Sequence, residues 1–138
     1  MNSHTEALIP ESQRSPIAVG LLGIGLIHTL DLPSKWHETA YLAAAYVVVI
    51  VASLVAAGGL VSSCRRRWRH IATAAAAGPL VGYVVSRTVG LPGSTRDIGN
   101  WLEPLGLASL FVEATVLLFL AQYSLKWSKP QSLGAART

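Results

Sequence analysis

Tyr41-Leu42-Ala43-Ala44-Ala45-Tyr46-Val47-Val48-Val49-Ile50-Val51-Ala52-Ser53-Leu54-Val55-Ala56-Ala57-Gly58-Gly59-Leu60-Val61 carries no charged side chain. At 1.5 Å per residue it is long enough to cross about 30 Å of hydrocarbon as one helix. Its Ala, Val and Leu content suits a helix solvated by lipid, where every backbone polar group must be satisfied within the segment.

Three further stretches follow the same pattern. One runs from about Pro16 to Leu32, short for a full crossing. A second, Ile71 to Ser86, lies between His70 and Arg87 and extends to Leu91. A third, from about Trp101 to Tyr123, holds a single acid, Glu113. The sequence therefore predicts an all-α membrane protein with four transmembrane helices in two hairpins, at about 16–32, 40–63, 70–91 and 101–124. Tails 1–15 and 128–138 flank one transmembrane domain, 16–127.

Composition agrees. The 138 residues suffice for one domain, and 13% are charged, against roughly 25% in an average soluble domain. Four spans of about 20 residues each leave no room for a separate water-soluble catalytic domain. The segment Met1–Ser15 is polar, holds Glu6 and Glu11, and is followed by no A-x-A-like site, so a cleaved signal peptide is not expected. The net charge of +4 sits beside apolar helices, which points to a membrane surface and not to nucleic acid.

Lys and Arg near the helix ends set orientation. Arg14, Arg65, Arg66, Arg67, Arg69, Lys126, Lys129 and Arg137 fall on one side, and Lys35, Arg87 and Arg96 on the other. Both termini are expected in the cytoplasm, with Pro33–Thr39 and Pro92–Asn100 facing out. Trp36, Trp68, Trp101 and Trp127 all fall at expected interfaces.

The two hairpins share letters. Thr29-Leu30-Asp31-Leu32-Pro33 and Thr88-Val89-Gly90-Leu91-Pro92 each close a span, and Trp36-His37-Glu38 and Trp101-Leu102-Glu103 each open the next. A parallel two-hairpin repeat about an axis along the membrane normal would explain this; interface composition alone would also explain it. The proline of each pair suits a helix exit, and each acid suits the first turn of the following helix. His28, Asp31, Glu38, Arg87, Asp97 and Glu103 are then either caps and interface anchors or the polar vestibule of a site.

Glu113 lies 12 positions after Trp101, roughly 18 Å along a helix and close to mid-bilayer. An ionisable side chain there is expensive and should face the bundle or a partner. Ser109, Thr115, Tyr46 and Ser53 are its candidate hydrogen-bond partners, and a proton relay is the alternative to structural glue. His28, about one turn inside the outer end of the first span, shares a face with Asp31. Those two with His37 could ligate a metal, although the His37-Glu38-Thr39-Ala40-Tyr41 stretch lacks the second His of H-E-x-x-H. A hydrogen bond at the helix end is the simpler expectation.

Other chemistry is not legible. Cys64 is the one cysteine, which rules out a C-x-x-C redox pair; beside arginines it is expected reduced, with palmitoylation permitted. No phosphate loop, dinucleotide fingerprint or nucleophile elbow occurs, and no cofactor is indicated. Arg65, Arg66, Arg67 and Arg69 can bind anionic headgroups. Gly78-Pro79-Leu80-Val81-Gly82 has the G-x-x-x-G spacing that admits a neighbouring backbone, and Pro79 leaves the Ala75 carbonyl without its helical donor.

Ser86-Arg87-Thr88-Val89-Gly90-Leu91-Pro92-Gly93 followed by Asn100-Trp101-Leu102-Glu103-Pro104-Leu105-Gly106 resembles a signature of small uncharacterised four-helix integral membrane proteins of actinobacterial type. The first hairpin is similar in outline, so the likeness covers the four spans without the tails. It implies a multi-pass protein of the bacterial cytoplasmic membrane and nothing about chemistry. The leading functional expectation is an accessory or scaffolding subunit, whose partners are the lipid bilayer and other membrane subunits or a second copy of the chain. The alternative is a binding or transport module admitting a small ligand, metal ion or proton from the outer face. The third is a small membrane enzyme using Glu113 or the outer acids.

Overall fold

A computed structural model describes residues 11–63 and 66–127. Four helices make up nearly all of it: α1 (Glu11–Glu38), α2 (Ala40–Ser62), α3 (Arg66–Thr88) and α4 (Pro104–Trp127). The expectations on Cys64, Arg65 and the tail basic residues Lys129 and Arg137 lie outside the described residues. Helices α1, α2 and α4 are long and apolar enough to cross a membrane. Helix α3 is not, because Arg66, Arg67, Arg69 and His70 crowd its first turns and Arg87 its last. Between those ends its side chains from Ile71 to Ser86 are uncharged.

The helices form a four-membered ring. Helix α1 packs most extensively on α2 and then α4, and α3 packs on the other sides of α2 and α4. One diagonal, α1 to α3, makes a narrow contact; the backbones of α2 and α4, across the other, make no close approach among the described residues.

The apolar core fills one half of the bundle, toward the basic start of α3. Ile17, Leu21 and Ile24 of α1 meet Ala56, Ala57 and Leu60 of α2, Ala72, Ala75 and Ala76 of α3, and Val116 and Leu120 of α4. Alanines on α2 and α3 bring the two backbones close. Gly59 makes room for the Trp68 ring, where an added Cβ would collide, and Trp68 Nε1 donates to Ser63 Oγ at 2.9 Å. Gly59→Ala should therefore destabilise the purified protein by about 1–3 kcal/mol through overpacking. At Gly78 an added Cβ meets nothing within 4 Å, so Gly78→Ala should be neutral or gain up to about 1 kcal/mol from helix propensity. Thermal unfolding in detergent separates the two.

Several sequence expectations change. Helix α1 does not end near Leu32 but runs to Glu38, with Pro33 inside it. Proline removes one donor, to Thr29, yet Ser34 Oγ donates to Asp31 O at 2.8 Å and the turn persists. The expected outer loop Pro33–Thr39 shrinks to Thr39, extended at φ −152° and ψ 141°. Glu38 closes α1 and does not open α2. In the second connection, Leu91-Pro92-Gly93-Ser94 makes a tight turn closed by reciprocal Leu91–Ser94 backbone bonds. Proline in its second position and Gly93 at φ 74° in its third suit a type II turn. Glu103 then caps α4. Since Pro33 is helical and Pro92 sits in a turn, and Glu38 ends a helix while Glu103 starts one, the shared letters do not mark equivalent structure. The hairpin repeat is not carried at this end of the bundle.

Candidate functional site

The half of the bundle without apolar core holds a cavity of about 560 Å³, between α2 and α4, whose backbones stay apart. His28, Asp31 and Lys35 of α1, Tyr46 of α2, and Gly78, Gly82 and Arg87 of α3 line it. Ser94, Asp97 and Glu103 of the second connection, with Ser109 and Glu113 of α4, complete the wall. Gly78 and Gly82 were expected to seat a neighbouring backbone. Neither has an atom within 4 Å of where a Cβ would stand, so the missing side chains widen the cavity instead.

A charged network covers the polar end. Arg87, 6% exposed, sends Nη1 to Asp97 Oδ2 at 2.8 Å and Nη2 to Glu103 Oε2 at 3.6 Å. Its guanidinium lies 4.6 Å from the Tyr83 ring centroid. Lys35 Nζ reaches the same Asp97 oxygen and Glu38 Oε2, each at 3.1 Å, and the Ser94 hydroxyl donates to Glu38. Asp97 thereby ties α1 to α3. Burial alone would push its carboxyl up, but Lys35 and Arg87 together outweigh that and hold it below its ordinary value. Glu103 has a second task as the α4 N-cap. Its carboxylate accepts from Leu105 N at 3.1 Å and Gly106 N at 2.6 Å, with Pro104 at the first helical position.

Of the outer acids, Glu103 pairs with Arg87, but Asp97 is the closer partner. Asp31 instead accepts from Tyr46 Oη at 2.9 Å and Ser34 Oγ at 2.6 Å. Reach explains the difference: Asp97 sits in a connection that folds back over the cavity, with Gly99 N donating to Arg87 O at 2.9 Å. Lys35 is largely buried and doubly paired rather than an exposed interface cation.

Deeper in, Glu113 is 1% exposed. Ser109 Oγ, one helical turn before it, donates to Glu113 Oε1, and His28 Nε2 stands 3.9 Å from the same oxygen. His28 Nδ1 lies 2.9 Å from Ile24 O. A carbonyl only accepts, so Nδ1 carries a hydrogen, and Nε2 is the ring nitrogen that faces Glu113. Glu113 Oε2 is buried without a hydrogen-bond partner among the described residues. The His28 and Tyr46 ring centroids are 4.9 Å apart, which joins Asp31, Tyr46, His28 and Glu113 into one wall.

The other candidates fall elsewhere. Thr115 bonds back to Phe111 O at 2.7 Å, and Ser53 Oγ is buried without a partner among the described residues; neither serves Glu113. His37 lines a separate depression with Glu38 and Arg96, so the set His28, Asp31, His37 is not assembled. No group of three metal-ligating side chains forms among the described residues. Arg66, Arg67 and Arg69 start α3 at the opposite end, where Arg67 stacks 4.5 Å from the Trp68 ring centroid. Lys35 and the Asp31–Tyr46 bond are the site features that sequence reasoning missed. A tyrosine within the aliphatic α2 run was the available signal, since a buried phenol needs a partner.

No protein-family model, curated protein or solved structure matches this chain.

Proposed function

We propose that this is an integral membrane protein that binds a small molecule in the cavity between α2 and α4. All four helices cross the bilayer, α3 included, because α3 packs between two apolar helices and presents Val81 and Val84 outward. Both termini lie in the cytoplasm, by the asymmetry of Lys and Arg, and the Lys35–Asp97–Arg87 network faces the outer side of a cytoplasmic membrane. Between a binding module and an accessory subunit, one observation favours binding. Glu113 is buried on a cavity wall with one carboxyl oxygen unpartnered, a cost that packing does not explain.

A solvent-filled site should react where a lipid-facing one does not. In a Cys64→Ser background, Gly82→Cys should react readily with 2-aminoethyl methanethiosulfonate, whereas Leu118→Cys, on an exposed apolar surface, should react slowly. Equally slow reaction at both positions would rule the binding site out. An accessory or scaffolding role is the second reading, favoured by Gly58. An added Cβ there meets nothing within 4 Å, and the glycine lies beside exposed Val55 and Val61, a surface that suits a helix of another membrane subunit or a second copy.

A further inference from the structure

The charges around the cavity do not balance. Asp31, Asp97, Glu103 and Glu113 line it against Lys35 and Arg87, with the His28 imidazole beside Glu113. Both cations are already committed at the polar end, to Asp97, Glu103 and Glu38. Asp31 and Glu113 take their hydrogen bonds from neutral hydroxyls alone, those of Tyr46 and Ser34 for Asp31 and that of Ser109 for Glu113. Among the described residues, two carboxyls on one wall thus have no lysine or arginine partner, and the rings of His28 and Tyr46 line that wall with them.

We propose that the cavity takes an organic amine with an apolar body, bound as its ammonium against Glu113. The inference rests on the reading of the cavity as a ligand site and names the ligand's class. Glu113 Oε2, buried and unpartnered, accepts an ammonium N–H. Asp31, one turn along α1 from His28, adds a second negative charge, and the aromatic faces favour a cation over a neutral group. Val49, Pro79 and Leu105 line the cavity as well and hold the apolar body. An anion would meet unpaired carboxyls and find both cations already engaged. A divalent metal ion would lack a third ligand among the described residues. The lining residues Val48, Ala74 and Gly78 are exposed, so the cavity is open between α2 and α3.

The test is calorimetric titration of the full-length protein in nanodiscs, against empty nanodiscs, with three probes of similar body. These are 2-phenylethylamine, 2-phenylethanol and 3-phenylpropionate. The amine should bind at least about tenfold more tightly than either of the others, and Glu113→Gln should weaken it by about tenfold or more. Asp31→Asn should weaken it less, and serves as the second variant if Glu113→Gln does not fold. The alcohol or the acid binding as tightly as the amine would overturn the amine class and leave the ligand site standing. So would unchanged amine affinity in the folded variants. Binding of none of the probes, with Gly82→Cys reactive, would also overturn the amine class. Binding of none with Gly82→Cys unreactive would remove the ligand site itself.

Discussion

Arg87→Ala should cost the purified protein about 3–5 kcal/mol, the loss typical of removing one partner from a buried ion pair. The guanidinium is 6% exposed and holds Asp97 and Glu103 together. Its removal leaves Asp97 with Lys35 alone and withdraws the cation that covers the Tyr83 face. Lys35→Ala should fall between this and a surface change, since Lys35 is largely buried and shares Asp97. Arg66→Ala is the control, an exposed arginine at the opposite end whose loss should cost about 0–1 kcal/mol. Denaturant or thermal unfolding in detergent reads all three. Similar small losses for Arg87→Ala and Arg66→Ala would mean that the network at the polar end contributes nothing to folding.

Glu113→Leu should act in the opposite direction and stabilise the protein by about 1–3 kcal/mol, the usual cost of a buried polar atom without a partner. Leucine has a similar volume and nothing to satisfy, and Ser109 can turn its hydroxyl back to a carbonyl of its own helix. Amine binding should disappear in the same variant. Stability gained together with binding lost is the signature of a group retained for function. If Glu113 were structural glue, Glu113→Leu would lower stability, and unfolding midpoints measured beside Glu113→Gln decide between the two.

How much of this was legible differs by element. The unbroken Tyr41–Val61 run announces α2, because a long uncharged apolar segment has few alternatives. Mid-span Glu113 has to be buried on the same grounds, and the structure buries it. Arg87 and Glu103, near the end of α3 and the start of α4, could be anticipated as a pair. Pro33 misled, because proline disfavours a helix interior without forbidding it, and Ser34 helps to hold the turn that Pro33 weakens. Asp97 was not legible as the hub, since its place depends on how the connection folds back across the bundle. Nor was the cavity. Gly78 and Gly82 read equally well as a close helix contact or as empty space, and only the separation of α2 from α4 decides which.

Spin-label accessibility along α3 tests whether α3 spans the membrane with its glycine face on the cavity. Nitroxides attached through single cysteines at Val81, Gly82 and Val84, in a Cys64→Ser background, should differ sharply by face. Val81 and Val84, both exposed and apolar, should be relaxed by oxygen, which concentrates in lipid. Gly82, on the cavity, should be relaxed by a water-soluble nickel chelate. Val81 and Val84 reached by the chelate as readily as Gly82 would contradict the account, because α3 would then lie outside the bilayer.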